Sequence, residues 1–414
     1  MRLSAHRPSV TKWESTNTMP LPKSLRHTTH NISRALAMAA CLFAPHIVAA
    51  AEPAPIPVGL VAALSGQSAV SGEAITRGLA VAIDEINQAG GVLGRPVVLV
   101  RRDDESNPGK GIAAARELIS REHVVAFFGG IDTPVSIALV PVANKEKVPF
   151  LGVWAAGTGI THNGASPNYV FRVSAVDALV DQRLLRYAVS ITHAQHPGLM
   201  LIDNPWGESN HAGLEAAAKA ANVSLAGAES FETGDTDMTA QLTRLKAAGA
   251  DAIILVGNAA PAAEVIRSLD RMGWTVPVIS HWGISGGRFP ELAGPSATKV
   301  AFVQTYSFFK ASPKGEAVLA ELEKKYPAIK GAEDIIAPVG TADAYDAMHL
   351  LALAIAKAGS TEGPAIQAAL EALPPYDGLI KRYAPAFTAA DHDALGADDY
   401  IMVHFAENKI VPVD

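Results

Sequence analysis

Cysteine occurs once in the 414 residues, at Cys41, and no surplus of positive charge exists: 34 Lys and Arg stand against 41 Asp and Glu. A phosphate-cradling G-x-x-x-x-G-K loop is missing, as are short-period repeats and low-complexity tracts. Beyond residue 51 no apolar run is long enough to cross a bilayer. Each absence narrows the field. A lone cysteine near the N-terminus leaves the rest of the chain without disulfides, thiol nucleophiles or Cys-based metal sites. An acidic surface argues against nucleic acid or anionic lipid as partner.

The first 51 residues read as a secretory signal peptide. Arg26 and Arg34 precede the apolar run Ala35–Ala51, which ends in Ala49-Ala50-Ala51 before Glu52. Pro45, His46 and the shortness of the run weaken a membrane span. A lipoprotein anchored at Cys41 is the rival reading; Met38-Ala39-Ala40 fits it poorly, and the apolar run continues past the cysteine. Met19 is a possible true start. The segment carries six Lys/Arg and one Glu, a charge of +5, so the formal −7 becomes −12 beyond it. An exported protein without membrane insertion after cleavage, in the periplasm, is the expectation. The remaining residues exceed what one core fills, so two lobes are expected.

From Ile56 onward strand and helix alternate. Val58–Ala62, Pro96–Arg101, Val124–Phe128 and Val148–Leu151 are short apolar runs that read as parallel strands buried on both faces. A second series begins near Tyr169, with strands at Gly198–Ile202, Ala252–Val256, Val276–Ser280 and Val300–Tyr306. Short strands near Leu379–Arg382 and Tyr400–Phe405 finish the chain. Two such series predict an α/β fold of two doubly wound parallel-sheet lobes. Crossings near Arg172–Val176, Val303–Tyr306 and Lys381–Pro385 would make a multi-strand hinge. Lobe 1 is then 56–173 with 304–382, and lobe 2 is 174–303 with 383–414.

Ligands sit beyond the carboxyl ends of the strands in such sheets. Two of these ends are Phe127-Phe128-Gly129-Gly130-Ile131-Asp132-Thr133-Pro134 and Val153-Trp154-Ala155-Ala156-Gly157-Thr158-Gly159. Thr133-Pro134 reads as an N-cap followed by proline at the first helical position, a seat for a carboxylate. Asp132 is a turn or cap residue that also faces the crevice. Ser65 and Ser71 fall in the first strand–helix loop and face it too.

The order Val58-Gly59-Leu60, Leu64-Ser65-Gly66, Gly72, Gly78, Ala82-Ile83-Asp84-Glu85-Ile86-Asn87, Gly90-Gly91-Val92-Leu93-Gly94, Asp103-Asp104-Glu105-Ser106 and Pro108 resembles the periplasmic branched-chain amino-acid binding proteins, type I solute receptors of ABC importers. The resemblance implies Venus-flytrap closure and an inner-membrane ABC permease as partner. It places the hydroxyl that holds a ligand carboxylate at Thr133 and backbone contacts at Trp154 and Ala155. The threonine that often helps there falls on Ala156. A covering aromatic falls on Trp206, and the tyrosine-bearing loop on Asn258. The acidic residue that neutralises an amino acid's ammonium falls on or beside Trp282, after His281, where no carboxylate stands. Three tryptophans and His281 then suit an aromatic or planar acid or an amide better than an α-amino acid, unless Asp132 or Asp203 substitutes. No cofactor or metal is implied.

Three other motifs carry less. Gly283-Ile284-Ser285-Gly286-Gly287 matches the G-x-S-x-G elbow of serine hydrolases, with Asp343 or Asp391 and His392 as partners to invoke. The preceding strand ends too early, and no glycine-rich oxyanion loop lies upstream. Gly157-Thr158-Gly159 lacks its third glycine where a nucleotide fingerprint needs it. Asp391-His392-Asp393 reads as a charged surface loop rather than a metal site. The sequence thus predicts a non-enzymatic clamp for a small molecule. A ligand-sensing receptor of the same fold that regulates a signalling partner is the alternative.

Overall fold

The computed structural model describes residues 53–310, 312–407 and 409–413. The signal-peptide expectation and Cys41 lie outside these residues. Five parallel strands form the first sheet: β1 (Ile56–Ala62), β2 (Val97–Asp103), β3 (Phe127–Gly129), β4 (Phe150–Gly152) and β5 (Val170–Arg172), in the order β2-β1-β3-β4-β5. Strands β1, β3, β4 and β5 are buried almost throughout, as apolar runs between two helical layers require.

The second sheet takes β6 (Pro197–Ile202), β7 (Gly227–Phe231), β8 (Ala252–Val256), β9 (Val278–Ser280) and β10 (Val300–Gln304). A two-stranded ribbon, β11 (Tyr376–Asp377) and β12 (Arg382–Tyr383), follows. Then β13 (Ile401–Ala406) and β14 (Lys409–Pro412) complete the second sheet, in the order β14-β13-β10-β9-β8-β6-β7. Its last two strands are antiparallel, an addition to the all-parallel expectation.

Strand β7 escapes sequence reading because Gly-Ala-Glu-Ser-Phe offers no apolar run; it is an edge strand with alternate residues exposed. The expected strand at Leu379–Arg382 is instead mostly the turn between β11 and β12. Asp132, not Thr133, occupies the N-cap; Thr133 is the first helical residue of Thr133–Glu146 and Pro134 the second. The proline still lacks only an N–H that the first turn leaves unpaired anyway.

Three chain passages link the sheets. After Arg172 the chain enters helix Asp177–Ser190, which packs on β8, β9 and β10. After Gln304 it leaves for helix Pro338–Ala358, which lies along helix Ala69–Gln88; Thr341 Oγ1 donates to Ala74 O at 3.2 Å. After Tyr383 it returns to β13. The segment His392–Ala394 bonds to the end of β5: Arg172 N donates to His392 O and Ala394 N to Arg172 O, both at 2.9 Å.

This corrects the expectation that Asp391-His392-Asp393 is a surface loop. His392 is buried, stacked on Phe171 at 4.0 Å, and touches Val170 O and Glu371 Oε1. Asp393 accepts from fully buried Arg172 Nε at 2.7 Å, from Thr161 Oγ1 at 3.0 Å and bonds His162 Nε2 at 3.0 Å. Charge here serves an internal ion pair where the chain passes between sheets, a pattern invisible to local sequence.

Candidate functional site

The carboxyl ends of strands from both sheets face one cavity of about 380 Å³. The first sheet contributes Ser65–Ser68 and Ser71 after β1, Glu105 and Ser106 after β2, and Ile131, Asp132 and Pro134 after β3. The second contributes Asn204 after β6, Thr233 after β7, Asn258–Ala260 after β8, and Gly283 and Gly286 after β9. Helices beginning at Ala69, Pro108, Thr133, Pro205 and Ala259 start beside these residues. Their first turns bring backbone N–H groups and positive dipole ends toward the cavity. A larger groove of about 880 Å³ runs along β2 and helix Ala69–Gln88, on the flank of the first sheet only.

Four side chains at helix starts behave differently. Asn107 and Asn204 cap their own helices, the latter accepting from Trp206 N at 2.8 Å. Asp132 and Asn258 also occupy N-cap positions, yet neither side chain accepts a capping bond. Both line the cavity from opposite sheets, and Asp132 Oδ2 is buried without a partner. Burial pushes the Asp132 carboxyl up, against the pull of the Ser106 and Asn258 side chains. Asp104, just behind, is pushed up to about 7 by burial, eased by the bond from Ser106 N and reinforced by the charges of Asp132 and Asp103. Among the described residues no Lys or Arg lines the cavity.

The tryptophans form the layer beneath. Trp154 and Trp282 approach across the two sheets, with ring centroids 6.1 Å apart and tilted 52°. Trp206 and His281 meet edge to face at 5.0 Å, and His281 meets Trp282 at 5.4 Å. Glycines of the cavity wall cover two of these rings: a Cβ on Gly283 would lie 2.7 Å from Trp206 Cη2, and one on Gly286 would lie 3.2 Å from Trp154 Cζ2. Only glycine lets both backbones approach the rings this closely.

Among the eleven residues expected at the site, Ser65, Ser71, Asp132 and Asn258 are on the cavity wall. Thr133, Trp154, Ala155, Ala156, Trp206, His281 and Trp282 are buried in the adjoining layer. Thr133 Oγ1 accepts from Gly157 N at 3.3 Å, and Ala155 N donates to Gly130 O at 3.0 Å. Ser71 Oγ donates to Gly286 O at 3.1 Å, and Thr158 N to Ser209 Oγ at 3.1 Å, each bond spanning the cleft. Sequence reasoning missed Ser106, Asn204 and Thr233. The Asn204-Pro205 dipeptide carried a helix-start signal for the second of these, and Ser106 stands in the Asp103–Ser106 motif that carries the resemblance; Thr233 carried none.

It also missed Asp177. Trp282 N donates to His281 Nδ1 at 2.8 Å, which leaves His281 Nε2 to donate to Asp177 Oδ1 at 3.1 Å. Trp206 Nε1 donates to the same oxygen at 3.2 Å. A carboxylate therefore does stand beside His281 and Trp282, supplied by a helix 104 residues upstream in sequence.

One turn along that helix, Asp181 is fully buried with neither carboxylate oxygen bonded, and Asn210 Oδ1 on the neighbouring helix is likewise unpaired. Burial, then the Asp177 charge, pushes the Asp181 carboxyl well above 3.8. A raised acid favours the folded state below pH 3.8 and loses that contribution as pH rises through the folded value. Asp181→Asn is therefore expected to raise Tm by about 2–4 °C at pH 8 and by less at pH 5, since it removes a carboxyl whose ionisation in a buried site is costly. Calorimetry at the two pH values checks this; an equal or lower Tm at pH 8 contradicts it.

Catalytic alternatives find no geometry. Ser285 is buried and donates to Trp282 O at 2.7 Å; Asp343 is bonded to Thr305, and His392 to Val170 and Glu371. Among the described residues no cluster of three or more His, Cys, Asp or Glu could hold a metal ion, and no helix is long and apolar enough to cross a membrane.

Comparison with known proteins agrees with this architecture. The family model described as periplasmic binding protein matches residues 55–406. Leu/Ile/Val-binding protein homolog 3 of Brucella melitensis biotype 1 is 25% identical over 367 residues, covering 88% of this chain and 95% of its own. A branched-chain amino acid transporter substrate binding protein of Streptococcus pneumoniae, solved with isoleucine, superposes with a TM-score of 0.72 at 24% identity, over 86% of this chain and 97% of its own. A solute binding protein of an ABC transporter from R. palustris, solved with 4-hydroxybenzoate, gives 0.75 at 22% identity, over 87% and 96%. Members of this family bind solutes and are not enzymes. With two doubly wound sheets opening onto one cleft and a match over most of its length, the chain belongs to the periplasmic binding protein family, of the branched-chain amino-acid type.

Proposed function

We propose that this chain is the periplasmic solute-binding component of an ABC importer, exported by a cleaved signal peptide. It closes on a small solute bearing a carboxylate or an amide and delivers it to an inner-membrane permease. The lobes are 56–173 with 304–382 and 174–303 with 383–414. The observation that carries the reading is the cavity of about 380 Å³ walled by strand ends of both sheets. A guest there touches both lobes only when they are together, so binding favours the closed state through contacts the open state cannot make. Helix starts beside Ser68 and Asn258 offer N–H groups to the guest's acceptor end. The names borne by the relatives, Leu/Ile/Val-binding protein among them, and the isoleucine and 4-hydroxybenzoate held by structural neighbours support a small acid or amide as cargo.

The test pairs a thermal-shift screen of amino acids, aromatic acids and amides with small-angle scattering. The expected result is at least one solute that raises Tm and shrinks the radius of gyration. A screen in which no solute raises Tm, with scattering unchanged throughout, removes the reading.

A further inference from the structure

We infer that the cargo presents an N–H donor group, ammonium or primary carboxamide, to Asp132, and that it lacks a large hydrocarbon body. The inference rests on the solute-clamp reading of the same cavity and names the chemistry that the wall selects.

Three observations converge. Asp132 and Asn258 stand at the N-caps of helices Thr133–Glu146 and Ala259–Arg271, where such side chains ordinarily turn back onto the helix. Neither does, and both belong to the cavity wall, one from each sheet. Second, Asp132 Oδ2 is buried without a well-formed hydrogen bond, only the Ser106 and Asn258 side chains ease the carboxyl's charge, and among the described residues no Lys or Arg lines the wall. A buried acceptor left unpaired is costly, and a carboxylate more so, so a guest that donates N–H bonds there gains what the protein withholds. An anionic head placed against Asp132 would instead meet a like charge.

Third, the wall offers little to an aliphatic or aromatic body. Its apolar side chains are Ile131, Pro134, Ala259 and Ala260. The tryptophans, the natural stacking partners for a ring, are buried and off the wall, Trp206 against Gly283 and Trp154 against Gly286. The rest of the wall is glycine backbone, serine and threonine hydroxyls, the amides of Gln67, Asn204 and Asn258, and the carboxylate of Glu105, which pairs with Lys110. Such a surface matches a guest that is polar along its length, its donor end on Asp132 and its acceptor end on the helix starts. Ammonium and carboxamide share the N–H donor chemistry and differ in charge, so one substitution separates them.

The experiment is calorimetric titration of the full mature chain with four probes: glutamine, butyramide, leucine and 4-hydroxybenzoate. Glutamine, butyramide or both are expected to bind at least about 10-fold more tightly than leucine and 4-hydroxybenzoate, because only polar wall is on offer. Asp132→Asn is then expected to weaken an ammonium-bearing probe by about 10–100-fold and a neutral amide by less, because only the first loses a charge partner. Asp132→Ala should weaken both. Circular dichroism and Tm report folding of each variant; should one fail to fold, Asn258→Ala on the opposite wall reads the same donor end.

Leucine or 4-hydroxybenzoate binding as tightly as the polar probes overturns this inference while leaving the clamp intact. Wild-type affinity in Asp132→Ala overturns it equally. Binding of none of the four, with a solute that has neither ammonium nor primary carboxamide raising Tm in the wider screen, also overturns it. A screen empty of any binder defeats the clamp reading itself.

Discussion

Asp393→Ala is expected to destabilise the protein by about 3–5 kcal/mol, the usual consequence of removing one partner from a buried ion pair. Arg172 would keep its bonds to Gly157 O at 2.9 Å and Thr161 Oγ1 at 2.8 Å, but its charge would lie buried and unanswered. Replacing both partners, Arg172→Met with Asp393→Ala, should recover part of the loss, since no uncompensated charge remains. Chemical denaturation of the three variants checks the ordering; a double variant no more stable than Asp393→Ala would refute the electrostatic account.

The pH profile adds a signature. Burial pushes the Asp393 carboxyl up, but the Arg172 charge and the bonds from His162, Arg172 and Thr161 outweigh it and hold it well below 3.8. Its contribution is complete above pH 3.8 and disappears only as pH falls through the lowered value. His162 is raised above 6.5, first by its bond to Asp393, with burial opposing. Its contribution is complete below pH 6.5 and fades as pH rises through the raised value. Asp393→Ala removes both arms, so its stability should vary less with pH at each end.

Joining the two proposed lobes covalently is expected to have the largest effect on binding kinetics. A Cβ on Gly286 would stand 2.3 Å from Ser71 Oγ, so the two positions adjoin across the cleft and a cross-link there needs a small local shift rather than a long reach. Cys41 is the single native cysteine, and it falls in the expected leader. Ser71→Cys with Gly286→Cys, oxidised, should slow solute association on the order of 100-fold, because the open state that admits solute is nearly depopulated. Reductant should restore the rate. Stopped-flow fluorescence of the nearby tryptophans reads it, and an oxidised variant that associates at the wild-type rate would show that entry needs no lobe separation.

These effects trace to contacts that no local pattern announces. Strands such as β1 and β8 were legible because apolar runs buried on both faces have one common explanation, and their lengths matched the sheet. The polar ends of β3 and β8 were legible as crevice residues because strand direction and helix starts fix where a chain must turn. Asp132 and Asn258 followed from that logic. Trp154, Trp206 and Trp282 did not: all three rings are buried in the layer beneath, and for Trp154 and Trp206 the wall above is built by Gly286 and Gly283 from a distant segment.

What the amino-acid order determined alone is therefore the succession of buried strands and amphipathic helices, the two-sheet class, and the set of loops that gather at one crevice. Those features arise from burial periodicity and turn chemistry, which act over a few neighbouring residues. Tertiary packing alone decided that Asp177 reaches His281, that Arg172 finds Asp393 221 positions away, and that Asp132 meets the cavity with an oxygen unpaired. Such pairings depend on how one sheet is set against the other, and that is fixed only when side chains distant in sequence compete for the same enclosed volume.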